Sequence, residues 1–427
     1  VENLTIAIET NSKRLLLLAF GFAMLVFAGL SFVWGIANTA AMQAEEKELA
    51  ELMVTLAPSD PQTHYAAALL LDGSFEPSDF ERASYHYERA AALAPYNYFL
   101  WLELGRARER RGDREGGLKA LGKAKELAPN YSSVRWSVGN ALVRQGSVEE
   151  GFDEIIGAVG GDEKYASPAA GLAWQIAEGD AAIARRYLRG STEALGELAV
   201  TIARDGRLDD SMAIWSELPK GEKTSTLKKQ GEGLLARMIE SKHFRNAVTI
   251  TNDIGGDDEG PLRGKIVNGG FESPVKQPTA SIFDWQIGTG RSPQIALTDG
   301  HKRSGSYSLV LVFNPAERGK IDRQLSQTIA VEPGRAYTLQ LFYRAKLETS
   351  IGLRWKVISA ADGQALATSE VLMNNSEWAS SKTRFRIPVG TDGIVLSLIR
   401  ENCVATLCPL SGEIWFDDLE LIEEPQA

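Results

Sequence analysis

Residues 15–37 form 23 consecutive positions without a charged side chain. At roughly 1.5 Å of rise per residue, a helix of that length crosses a bilayer core. Beyond it, Leu49, Leu52, Met53 and Leu56 recur at helical spacing, which predicts a helix over 38–57 that continues the apolar segment as a stalk. Residues 58–253 are rich in Ala and Leu and are interrupted at short intervals by Gly, Pro or Asp, the punctuation of short antiparallel helices. Residues 254–264 concentrate Gly and acidic side chains and mark a boundary. After that the period shortens to two. Stretches 308–313, 336–344, 352–358, 383–387 and 395–399 alternate and are separated by Gly, Pro, Asn or Asp, as the strands of an antiparallel sandwich do. The expected chain is multidomain. A lead (1–14), a single transmembrane helix (15–37) and a stalk (38–57) are followed by an all-α solenoid (58–253), a linker (254–264) and an all-β sandwich (265–427).

Three helix tails are alike: Leu56-Ala57-Pro58, Leu93-Ala94-Pro95 and Leu127-Ala128-Pro129, the last two prolines standing 34 positions apart. Between those prolines lie Trp101, Leu104, Gly105, Gly112, Leu121 and Ala124, and the stretch resembles a tetratricopeptide repeat, including its Trp-x-x-Leu-Gly start. Gly105 suits close helix approach, Gly112 the turn, and Pro129 the end of the second helix. The preceding unit keeps Ala83, Tyr87, Ala90 and Pro95 around an irregular turn at 72–78, and the following one keeps Gly139, Gly146 and Ala158. In the following unit Arg135 replaces the aromatic and Trp136 follows it. The likeness fades beyond residue 165, and about six hairpins are expected in all. In repeats of this kind the first helix of each pair lines a concave face. The resemblance therefore places Arg106, Glu109, Trp136 and Asn140 along a groove that receives a partner protein. The neighbouring cluster Arg106, Arg108, Arg110, Arg111 and Arg114, interrupted by Glu109, Asp113 and Glu115, reads as a solvated helix end.

Asn268-Gly-Gly-Phe-Glu272, Trp285, Ser304-Gly-Ser-Tyr-Ser-Leu309, the run from Gln327 to Gly334 before Tyr337, Trp378, and Trp415-Phe-Asp-Asp-Leu419 follow one another in the C-terminal region. In that order they resemble the jelly-roll carbohydrate-binding modules of the galactose-binding-like group, over nearly all of 265–423. The resemblance implies a structural calcium ion between Glu272 and Asp417, a hard cation suited to carboxylate oxygens. The other reading is two solvated carboxylates at strand ends. It also makes Tyr343, Arg354 and Trp355 candidates for glycan contact, although Trp355 alternates with Ile351, Leu353 and Val357 and fits a core face as readily as a groove. Trp285 and Trp378 fall where the group keeps buried aromatics.

Composition narrows the chemistry. A net charge of −10 opposes nucleic-acid binding, which needs a basic surface. The four histidines, at 64, 86, 243 and 301, lie apart from any Cys or His at zinc-ligand spacing. Lys13 and Arg14 precede the apolar run, whereas Glu45, Glu46 and Lys47 are the next charges after it. The positive-inside bias thus puts residues 1–14 in the cytoplasm and the bulk of the chain in the periplasm of a bacterial inner membrane. A cleaved signal peptide would have a shorter apolar core, about 7–15 residues, and Trp34 suits an interfacial anchor, so a signal anchor is favoured. The two cysteines, Cys403 and Cys408, would then lie in an oxidising compartment. A local disulfide worth about 2 kcal/mol is expected, against two free buried thiols. No phosphate loop, zinc helix or nucleophile elbow is present in the sequence, and carboxylate pairs for glycoside hydrolysis are decided only by their separation in space.

These features point to a non-catalytic, membrane-anchored adaptor, its solenoid on a partner protein and its jelly roll on glycan or protein, suited to exopolysaccharide assembly or export. The alternative is a structural accessory subunit of a large inner-membrane complex with no sugar binding. A membrane-tethered glycan hydrolase comes third.

Overall fold

A computed structural model of the chain describes residues 10–74, 76–256, 260–275, 281–315, 321–401 and 409–425. The chain divides into two compact units, Val1–Ala194 and Leu195–Ala427.

The first unit opens with α1 (Asn11–Met42), the one helix among the described residues that is long and apolar enough to cross a membrane. The stalk expected over 38–57 is broken: α1 stops at Met42 and α2 (Lys47–Leu56) is a separate helix. Glu45 and Glu46 give the physical reason. Carboxylates are unfavourable beside the carbonyls at the end of one helix and favourable beside the unpaired N–H groups at the start of the next. Instead of extending α1, α2 packs on it, and Ala37 and Ala41 share a cluster with Met53, Ala57 and Ala66.

Helix pairs follow: α3 (Pro61–Gly73) with α4 (Pro77–Leu93), α5 (Tyr98–Arg110) with α6 (Arg114–Leu127), α7 (Ser132–Arg144) with α8 (Val148–Gly161), and α9 (Ala166–Ile176) with α10 (Ala181–Tyr187). Asp60, Asn97, Asp113 and Asp180 accept hydrogen bonds from first-turn N–H groups at four of the helix starts. Gly112 and Gly146 turn the chain within their pairs at φ of 83° and 91°, a region that favours glycine. A Cβ on Gly105 would stand 2.6 Å from Leu121 Cγ, and one on Gly139 2.6 Å from the Gly151 carbonyl oxygen. These glycines therefore set how closely the paired helices approach, as in a tetratricopeptide-like array.

The second unit takes in most of α11 (Thr192–Arg204), then α12 (Leu208–Glu217), the short α13 (Lys220–Lys223), α14 (Lys228–Glu240) and α15 (Phe244–Gly255). Counting α11 with α12 and α14 with α15, the described residues contain six helix pairs, as the periodicity predicts. The rest is a β-sandwich of β1 (Gln286–Ile287), β2 (Gln294–Thr298), β3 (Ser308–Phe313), β4 (Leu325–Ala330), β5 (Ala336–Thr349), β6 (Leu353–Ser359), β7 (Ala365–Thr368), β8 (Asn375–Arg386), β9 (Gly393–Arg400) and β10 (Leu410–Glu423). Two five-stranded sheets, ordered β1-β4-β9-β6-β7 and β2-β3-β10-β5-β8, are antiparallel at every pairing. Alternate residues of β3, β4, β5, β6 and β9 enter a shared core, where the Trp355 ring lies 5.9 Å from Trp285 and 5.3 Å from Phe416 between centroids.

Candidate functional site

The first unit holds a groove of about 600 Å³ between α5 and α7. Arg106, Glu109 and Arg110 come from α5, Trp136, Ser137, Asn140 and Arg144 from α7, and Leu121 of α6 closes the floor. The four residues placed on a groove by the repeat resemblance are thus brought together. Spacings of three and four along each helix put them on one face. Arg110, Ser137 and Arg144 were missed, yet Arg110 stands four positions after Arg106, and Arg144 four after Asn140. That spacing was the signal that could have found them.

The groove is polar and its charges are paired. Arg106 donates through Nε to Ser137 Oγ at 3.0 Å and through Nη1 to Glu103 Oε1 at 2.8 Å. Arg144 donates through Nε and Nη2 to Glu109 Oε2 at 3.0 and 2.8 Å. The Glu109 side chain is only 5% exposed, and its Oε1 is buried without a hydrogen-bond partner. Gly117 makes room for it, since a Cβ there would stand 2.9 Å from Glu109 Cγ. Trp136 stacks on Tyr165 with centroids 5.0 Å apart, and Asn140 Nδ2 donates to the Trp136 carbonyl at 2.8 Å. In the arginine cluster Arg114 is exposed, in keeping with a solvated helix end, while its neighbours are ion-paired. Arg108 pairs with Glu88 of α4 at 2.8 Å, Arg111 with Asp72 of α3 at 3.1 Å, and Arg110 also with Asp72.

The sandwich corrects the glycan candidates. Trp355 is fully buried and Tyr343 is 4% exposed, because β6 and β5 turn Leu353, Trp355, Val357 and Tyr343 into the core. Neither ring presents a face to a ligand. Arg354 lies on the opposite side of β6, its Nη1 donating to the Ser369 carbonyl at 3.1 Å and its Nε 2.9 Å from Glu401. That outer face of β1-β4-β9-β6-β7 continues through Thr328, Lys356, Val395 and Ser397, and its described strand residues include no aromatic ring. Of the two tryptophans placed among buried aromatics, Trp285 is 2% exposed and Trp378 is half-buried.

Glu272 and Asp417 both grip the loop that joins β2 to β3. The buried Asp417 carboxylate accepts from the N–H groups of Arg303 (2.8 Å), Ser304 (3.2 Å) and Asp418 (2.8 Å). The exposed Glu272 accepts from those of Ser306 and Tyr307. Burial pushes the Asp417 carboxyl above its usual range, while the N–H groups of Arg303 and Ser304 pull it down. Calcium takes about six to eight oxygen ligands. These carboxylates are already occupied by the loop, and among the described residues no group of three or more His, Cys, Asp and Glu side chains is assembled around a metal position. The residues as placed do not fit the calcium expected from the resemblance. They act as acceptors that hold a turn. Cys403 and Cys408, expected to pair, lie outside the described residues.

No family model and no curated protein matches the chain. Among solved structures, PilF of Pseudomonas aeruginosa is similar at 17% identity over 48% of this chain and 98% of its own, with a TM-score of 0.33. MamA from Desulfovibrio magneticus RS-1 is similar at 14% identity over 46% of this chain and 96% of its own, with a TM-score of 0.30. A family 4 carbohydrate-binding module is similar at 15% identity over 37% of this chain and 99% of its own, with a TM-score of 0.28.

Proposed function

We propose that the chain is a non-catalytic, membrane-anchored adaptor whose helical array receives a segment of a partner protein in the α5–α7 groove. α1 serves as a signal anchor in a bacterial inner membrane, with its N-terminal side cytoplasmic and the bulk of the chain periplasmic. The observation that carries the reading is the groove itself, which brings Arg106 and Glu109 of α5 together with Trp136 and Asn140 of α7. The Arg144 side chain is half exposed there and offers a cation to an acidic or carbonyl group of a bound peptide. Trp136 adds a rigid apolar surface beside it. A role for the jelly roll in exopolysaccharide assembly or export keeps only Arg354 of its three glycan candidates. The outer face of the other sheet carries Phe342 and Trp378 on β5 and β8, and protein contact there, as in an accessory subunit of a membrane complex, is the second reading.

The test is a photoreactive amino acid placed at Asn140 in native membranes. One adduct of defined mass is expected, and it should be lost when Arg106→Glu is added. Absence of any protein adduct from this position would remove the groove from consideration. A polysaccharide that retards the wild-type chain in affinity electrophoresis would return the jelly roll to the glycan reading.

A further inference from the structure

Helix α2 has three faces, and two of them are accounted for. Ala50, Met53 and Ala57 are buried, the latter two in the cluster with Ala37 and Ala41 of α1. Its charges turn toward α4, where Lys47 pairs with Asp79 at 2.7 Å and Glu76 at 3.1 Å, and Glu51 pairs with Arg82. The third face carries Leu49, Leu52 and Leu56, which are 41%, 52% and 47% exposed. Spacings of three and four align them as one stripe.

The level of this stripe follows from the chain path. Met42 lies about 7.5 Å beyond Ala37 along α1, so α2 starts outside the charge-free run. It then returns: Met53 and Ala57 meet Ala37 and Ala41, and Asn38 Nδ2 donates to Asp60 Oδ2 at 2.7 Å. The second half of α2 is therefore level with residue 37, the outer end of the apolar run, close to the half-exposed Trp34. Glu45, Glu46 and Glu48 sit at the opposite, outer end of α2. Apolar side chains at the depth of the bilayer edge with acidic ones beyond them follow the change from hydrocarbon to water across the bilayer interface.

We propose that the C-terminal half of α2 dips into the outer leaflet, its leucine stripe inserting among the lipids and holding the start of the helical array at the membrane surface. The occupant is lipid because the stripe lies on the helix that packs on Ala37 and Ala41, at the outer end of the apolar run whose side chains are exposed along α1. The inference rests on the anchor reading given above.

The test uses the full chain in vesicles of phosphatidylethanolamine and phosphatidylglycerol that contain a phospholipid with a photoactivatable acyl chain. Adducts are mapped by mass spectrometry. Adducts are expected on α1 and on the peptide spanning 49–56, with none on α5. Leu52→Glu with Leu56→Glu should abolish those on 49–56 and retain those on α1. Adducts confined to α1 in the unaltered chain would overturn the insertion of α2 while leaving the anchor in place, whether water or protein covers the stripe. Adducts on neither helix would remove the anchor reading and this inference together.

Discussion

Residue chemistry is most sharply defined at His64 and His86, whose Nδ1 atoms stand 2.9 Å apart in the first unit. His64 Nε2 lies 3.0 Å from the Pro58 carbonyl. A carbonyl only accepts, so Nε2 carries the proton, the neutral His64 Nδ1 accepts, and His86 Nδ1 donates. Burial is the first cause holding both rings below their ordinary 6.5, and His86 reaches about 4. Arg89 acts in the same direction on His64, against the Pro58 carbonyl and Asp60, while His64 and Arg82 add to the effect on His86. Because these folded-state values are depressed, the stabilisation is complete above pH 6.5 and is lost as pH falls toward 4. His86 alone accounts for about 3 kcal/mol across that window. Urea unfolding followed by helix signal should therefore weaken more steeply over this range in wild type than in His86→Gln. Identical pH slopes would show that the pair does not couple to stability. The same scale shows where residue-level reading stops. Alternation marked Trp355 as one of two faces of β6, but only the stacking of the two sheets on each other decides which face is the core.

Among the elements, what the sequence revealed tracks the strength of its periodic signal. β3 matches its expected span of 308–313, and the helix pairs follow the Ala-Pro tails and turn glycines. Alternation predicts a strand only over 383–387, and β8 runs Asn375–Arg386, because an edge strand with Ser376, Ser380 and Ser381 shows little apolar alternation. The stalk differs for another reason: helical spacing from Leu49 to Leu56 fits a helix of its own as well as a continuation of α1, and the break comes from charge at 45–46. The groove was legible because a repeat converts position into face, whereas the sandwich has no repeat to do so. The two pair-interface glycines carry a comparative test. Alanine gains similar helix propensity at both sites, but at Gly105 the nearest atom belongs to the Leu121 side chain, and at Gly139 it is the Gly151 carbonyl. A side chain yields more readily than backbone. Gly139→Ala should lower stability by about 1–3 kcal/mol, the cost of overpacking, and Gly105→Ala by clearly less, as shifts in urea midpoint. Equal shifts would mean that backbone contact does not set the spacing of α7 and α8.

Across the whole molecule, the expected boundary at 254–264 is not where the compact units part, since α12 to α15 belong with the sandwich. The reason is a cap supplied from far along the chain. Asp392, between β8 and β9, accepts from the N–H groups of Phe244 and Arg245, both at 3.0 Å, in the first turn of α15. Gly393 beside it has no side chain where the Phe244 ring packs. Arg245 and Arg263 stand 3.2 and 3.8 Å from Glu332, and Gly264 N–H donates to the Ala330 carbonyl at 2.7 Å. In sequence, Gly390-Thr391-Asp392-Gly393 reads as an ordinary turn, and nothing local marks the aspartate as the cap of a helix 148 positions earlier. A carboxylate capping a partly buried helix start contributes about 2 kcal/mol, or roughly thirtyfold in a local opening equilibrium. Asp392→Ala in the full chain should therefore speed amide exchange across 244–255 by about thirtyfold, with exchange in β5 and β10 unchanged. If α15 belonged to a separate helical domain on a flexible linker, the substitution would leave its exchange as it was. That result would restore the boundary at 254–264.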